Sequence, residues 1–183
     1  MSRIHTANSI EAAPDASRPL LEAVKRQLGT VPNLFRMVAA SPAALEGYLS
    51  LSGALGKGAL RPEIREMIAL AVAERNGCAY CLSAHAYLAK NLARLDDAEI
   101  AANRIGRSYD PVADAALKFA ASVMENRGRV SDADLAQIRA AGLGDAEIVE
   151  IVLHVALNSW TNYINNVAET DIDFPVVNPG TAA

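Results

Sequence analysis

The chain's only two cysteines, Cys78 and Cys81, stand three positions apart in the run Asn76-Gly77-Cys78-Ala79-Tyr80-Cys81-Leu82-Ser83-Ala84-His85, which one of its three histidines closes. Two thiols at this spacing can close a disulfide across the first turn of a helix, and a histidine at i+4 can take a proton from the second. On a helix turning about 100° per residue, Cys78 and His85 point within roughly 20° of one another and Cys81 lies about 60° away, so all three share a face. A helix start also sets partial positive charge and free backbone N–H groups beside both thiols, which favours thiolate. A thiolate that attacks a peroxide O–O bond becomes a sulfenic acid. A second thiol nearby condenses with it to a disulfide before over-oxidation, and a reductant must then reopen the bridge.

Other chemistries compete for the same residues. The cysteines can be small core residues, although His85 would then be an unpaired polar group among them. Zinc is a second reading, with Cys78, Cys81 and His85 as three ligands and Glu66, Glu74 or His154 as a fourth. Structural zinc sites usually draw a ligand pair from each of two segments, and no second Cys/His pair exists here. Haem attachment is excluded, because Cys-x-x-Cys-His requires histidine where Leu82 stands.

The elements that must position these groups are helical. At 183 residues, 51% of them hydrophobic and 5% aromatic, the chain suits one all-α domain able to fold without staples. Gly29 and the turn Val31-Pro32-Asn33 end a helix over 18–28, and Ser41-Pro42 open a second helix over 43–55. Arg61-Pro62-Glu63 open a helix apolar on every side from Met67 to Ala73, which belongs at the centre of the fold. Asn76-Gly77 break it, and the cysteine helix runs over 78–92. Helices over 112–124 and 131–141, the latter capped by Ser131, follow. Residues 1–17 lack periodicity and read as an arm that orders only against a partner subunit.

A shift of 84 positions lays Glu63–Ile68 on Glu147–Val152, Cys78 on Asn162, Cys81 on Asn165 and His85 on Glu169. The chain therefore reads as two related helical halves, a catalytic one over 31–110 and a thiol-less one over 111–172. His154, which aligns with Leu70, reads as a hydrogen-bonded core residue, and His5 as solvated. Trp160, Tyr163, Asn158, Asn162, Asn165 and Asn166 read as packing residues of a pocket or subunit contact. The net charge of −4, without a basic block, speaks against nucleic acid and anionic membranes as partners. Neither a signal peptide nor an apolar run of transmembrane length is evident, so a cytoplasmic protein is expected. In that compartment a close cysteine pair is more often redox-active or metal-binding than structural.

The stretch from Glu66 to His85, E-M-I-A-L-A-V-A-E-R-N-G-C-A-Y-C-L-S-A-H, resembles the core of the AhpD alkylhydroperoxidases, within the carboxymuconolactone decarboxylase-like superfamily and nearest its peroxidase-related branch. The resemblance implies Cys81 as the peroxide-attacking thiol, Cys78 as the resolving thiol, and Glu66 with His85 as a proton relay. It implies no organic cofactor, a homo-oligomer (trimer or hexamer), and regeneration by a lipoyl-bearing or thioredoxin-like thiol protein. AhpD has histidine between its cysteines where this chain has Tyr80, which can donate a hydrogen bond or merely pack. The activity expected is thiol-dependent hydroperoxide reduction. The rivals are a thiol:disulfide oxidoreductase or peroxiredoxin-reducing adaptor, a lactone or decarboxylation enzyme, and a non-catalytic or zinc-stabilised helical binding module.

Overall fold

The computed structural model describes residues 2–180, which form nine α-helices and, among the described residues, no strand. The helices α1 (Arg18–Leu28), α3 (Pro42–Leu55), α4 (Pro62–Arg75), α5 (Ala79–Asn91), α7 (Pro111–Glu125) and α8 (Asp132–Ala140) start and stop within a residue or so of the expected caps and breakers. Ser41 accepts from the Ala44 N–H, and Ser131 forms a reciprocal capping box with Asp134.

Three elements depart from the sequence reading. Where a turn was expected, α2 (Asn33–Val38) forms, and the Asn33 N–H that begins it donates to Asp173 Oδ2 at 2.8 Å. That partner lies 140 residues away, so local sequence cannot announce it. The short α6 (Asp97–Arg104) is capped by Asp96. The last helix, α9 (Asp145–Ala168), runs unbroken for 24 residues. Gly77, at φ +62°, separates α4 from α5, whereas the positions 84 residues on, Trp160 and Thr161, lack a glycine. At the 84-residue offset, one unbroken helix therefore lies where α4 and α5 are two.

Helix α4 is the central element and packs against α5, α6, α7 and α9. Ile68, Leu70 and Val72 on it are all fully buried. Each such side chain contributes roughly 1.5–3 kcal/mol on leaving water, which offsets the absence of any polar face in mid-helix. Two apolar clusters lie on either side: one joins α1, α2, α3 and α5 and includes both cysteines, the other joins α4, α7, α8 and α9.

The arm does not wait for a partner. Ala7, Ala13 and Ser17 are buried, Ser17 Oγ donates to the Ala39 carbonyl at 2.8 Å, and the Arg3 N–H donates to the Ala168 carbonyl at 2.6 Å. Its small side chains pack onto the cysteine-side cluster without needing the periodicity that a helix shows. Met1 lies outside the described residues. The segment after α9 also folds back: Phe174 meets the Tyr80 ring edge-on, and the Val177 N–H donates to Ser83 Oγ at 2.9 Å. No helix among the described residues is long and apolar enough to cross a membrane.

Candidate active site

Cys78 is the N-cap of α5, with extended backbone, and its Sγ accepts from the Cys81 N–H at 3.4 Å. The sequence reading began the helix around Cys78, and at that boundary the cap geometry sets its sulfur against the first turn. Both are free thiols and both are buried, Cys81 with 3% of its surface exposed. One face of α9 closes over Cys81. Asn165 Nδ2 on α9 donates to its Sγ at 3.2 Å, and the Thr161 hydroxyl oxygen lies 3.9 Å away. Asn162 stands beside them, fully buried.

The two thiols are driven apart in acidity. The hydrogen bond from Cys78 is the largest influence holding the Cys81 pKa below the ordinary thiol range; burial opposes it, while His85, Asn162 and Asn165 lower it further. That same hydrogen bond, followed by burial, pushes Cys78 up. Cys81 is thus the thiolate of the pair and Cys78 its protonated neighbour.

His85 Nδ1 lies 2.9 Å from Glu66 Oε2, and both side chains are about three-quarters buried. Burial pushes the imidazole down, yet the Glu66 carboxylate and the Cys81 charge outweigh it and leave the His85 pKa above its ordinary value. Glu66 and the Cys81 charge thus both favour the protonated form of the imidazole. Glu74 is not in it. Its carboxylate pairs with Arg104 at 2.8 Å, both side chains nearly buried, and so ties α4 to α6.

Glu150, which the 84-residue offset lays on Glu66, has a structural task. It accepts from the Ala59 and Leu60 N–H groups at 2.8 and 2.9 Å, in a loop where a Cβ on Gly58 would lie 2.5 Å from its carboxylate. His154 is buried as expected, but its Nε2 has no hydrogen-bond partner, contrary to the sequence reading. Burial, with Arg65 second, pushes its pKa down to about 4, so it is held neutral. Tyr80 is committed to the scaffold: its hydroxyl accepts from the Leu34 N–H at 3.0 Å and donates to Asp173 Oδ1 at 2.9 Å. His5 is exposed. Among the described residues no three of His, Cys, Asp and Glu gather to hold a metal ion.

Sequence reasoning assigned the α9 asparagines to packing, whereas Asn162 and Asn165 face Cys81. Thr161 was not singled out at all. The available signal was polar residues recurring on α9 at 158, 161, 162 and 165, one buried stripe on a helix otherwise rich in apolar residues.

The model of the carboxymuconolactone decarboxylase family matches residues 42–124, which span α3 to α7 and hold Glu66, Cys78, Cys81 and His85. A peroxidase-related protein from Ralstonia eutropha JMP134, solved as an alkylhydroperoxidase AhpD core, is 25% identical with TM-score 0.83, covering 94% of this chain and 92% of its own. A peroxidase-related protein from Silicibacter sp. TM1040 is 25% identical with TM-score 0.79, covering 93% of this chain and 94% of its own. The debrominase Bmp8 shares the fold at 19% identity and TM-score 0.75, over 92% of this chain and 91% of its own. No curated protein matches the chain.

Proposed function

We propose that this chain, which belongs to the carboxymuconolactone decarboxylase-like superfamily together with the AhpD proteins, reduces hydroperoxides by cycling Cys78 and Cys81 between dithiol and disulfide. The observation that carries the reading is the opposed acidity of two adjoining thiols beside a His85–Glu66 pair. The Cys81 thiolate attacks the nearer peroxide oxygen; an S–O bond forms, the O–O bond breaks, and its electron pair leaves on the alkoxide. His85, charged and oriented by Glu66, supplies the proton that makes the alcohol. Cys78 then attacks the Cys81 sulfenic acid, and a disulfide and water result. An external dithiol reduces the bridge and is itself oxidised.

Burial of both sulfurs favours a slender dithiol on a flexible arm, of the lipoyl kind, over a thioredoxin-like surface that must press against the bridge. The outward side of α9 bears Val149, Val152, Leu153, Trp160, Tyr163 and Val167, all exposed, which supports a homo-oligomer. A reducing compartment, the cytoplasm, suits the cycle.

The test is rapid mixing of fully reduced protein with tert-butyl hydroperoxide, followed by intact-mass analysis. Peroxide loss with one Cys78–Cys81 disulfide is expected, with a trapped sulfenic acid in Cys78→Ser and no reaction in Cys81→Ser. Thiols that persist in excess peroxide overturn the proposal.

A further inference from the structure

One buried donor beside the thiols has no part in the cycle described above. At about 100° per residue, the order around α9 is Thr161, Asn165, Asn162, Asn166. The first two reach the Cys81 sulfur, at 3.9 and 3.2 Å. The last two hold Asn76 at the end of α4: Asn166 Nδ2 donates to the Asn76 carbonyl at 3.1 Å, and Asn76 Nδ2 donates to Asn162 Oδ1 at 3.0 Å. Asn162 therefore stands between the sulfur and the turn that leads to Cys78, two residues beyond Asn76. Because Asn76 takes the oxygen edge of its amide, the nitrogen edge turns to the other side, where Asn165 and Cys81 lie. Asn162 is fully buried, and its Nδ2 makes no hydrogen bond among the described residues. A buried N–H without an acceptor costs free energy in the dithiol state, and an oxygen set on Cys81 relieves it.

We propose that Asn162 is a further catalytic residue, whose Nδ2 donates a hydrogen bond to the oxygen that the peroxide delivers to Cys81. The inference rests on the peroxidase reading and concerns the second half of its cycle. When Cys78 attacks the sulfenic acid, the S–S bond forms, the S–O bond breaks, and its electron pair leaves on the oxygen. The proton released by the Cys78 thiol turns the departing hydroxide into water. Negative charge grows on that oxygen until the proton arrives, so a fixed donor beside it lowers the barrier to closure. Asn165 acts on the sulfur, and Asn162 on the oxygen bound to it.

Rapid quenching of reduced Asn162→Leu protein mixed with excess tert-butyl hydroperoxide, with intact-mass analysis, gives the rate at which the Cys81 sulfenic acid becomes the Cys78–Cys81 disulfide. The expected slowing is about 10- to 100-fold. Methyl methanethiosulfonate supplies the control: it leaves a methyl disulfide on Cys81, and Cys78 closes the same bridge by expelling methanethiolate, with no oxygen present. That closure should stay within about twofold of wild type. Sulfenic acid that closes at the wild-type rate overturns the proposal, as does equal slowing of both closures, which would place the effect on the position of Cys78. Should leucine prevent folding, Asn76→Ala keeps Asn162 but frees its amide. Sulfenic closure should then slow about threefold or more with methyl disulfide closure unaffected, and an unmoved ratio of the two rates overturns the proposal. Wild-type protein that leaves peroxide untouched overturns the peroxidase reading itself, whereas wild-type closure with an unmoved ratio in the variants overturns this inference alone.

Discussion

Replacing Asn165 with alanine should raise the Cys81 pKa by about one unit. The amide nitrogen donates to the sulfur at 3.2 Å in a site where Cys81 has almost no contact with solvent, so no water can take over the donor's place. A hydrogen bond to a charged group is worth about 1.5–3 kcal/mol, and sulfur is a weak acceptor, which places the effect at the low end; about 1.4 kcal/mol is one pKa unit. The fold should lose little. Asn165 Oδ1 has no partner, so alanine removes an unsatisfied acceptor along with the useful donor. The assay is the pH dependence of Cys81 alkylation by iodoacetamide, read by peptide mass. The midpoint should move upward from about 6 to about 7, and the peroxide rate at neutral pH should fall about twofold, as the thiolate fraction does. An unmoved midpoint in a folded variant would refute the assignment of Asn165 as a thiolate donor and leave the Cys78 hydrogen bond and His85 as the influences that lower the Cys81 pKa.

Glu66→Gln removes the carboxylate that holds His85 charged; the imidazole pKa should fall, and peroxide reduction at neutral pH should slow about 10- to 100-fold, with its alkaline limb displaced to lower pH. His154 is neutral in the fold down to about pH 4 but takes a proton near 6.5 when unfolded, so its contribution is complete above 6.5 and is lost as pH falls towards 4. The loss amounts to about 3 kcal/mol, and His154→Leu should flatten the acid slope of urea-unfolding free energy by about that much. Tyr80→Phe leaves the buried Leu34 N–H without its acceptor and should cost about 1–3 kcal/mol of unfolding free energy, with the single-turnover peroxide rate unchanged.

What the sequence made legible is what short-range physics controls. Pro42, Pro62, Ser131 and the Asn76-Gly77 break mark helix ends because they act on backbone within a turn of themselves. The Cys78, Cys81 and His85 spacing was readable for the same reason. Glu66 and Glu74 could not be told apart without a resemblance, because each choice depends on a partner from another helix, His85 of α5 or Arg104 of α6. Helix α2 depends on Asp173, the arm on Ala39 and Ala168, and Tyr80 on both ends of the chain. No periodicity carries such information. The donors to Cys81 were hidden differently: an asparagine within a helix costs little whichever way it faces, so its presence on α9 gave no direction until α9 was set against α5.

The 84-residue offset gives that set of donors a reason. Asn165 is the repeat counterpart of Cys81, and the two side chains touch. The contact joins α9 to α5, where whatever one helix presents the other must accommodate. In this chain one helix presents a sulfur and the other an amide. A second cysteine there would compete for the oxidised sulfur with Cys78. A lysine would bring a buried charge with its own desolvation cost and would hold the thiolate as a tight ion pair, quenching the nucleophile it stabilised. An asparagine supplies an N–H without net charge, and leaving its Oδ1 unpaired costs less than either alternative. On the peroxidase reading, the part of α9 that the offset lays on the cysteine helix therefore serves the dithiol: without a cysteine of its own it supplies a neutral donor, Asn165, and the unbroken helix holds that donor in place while the shorter α5 carries the dithiol at its N-terminus.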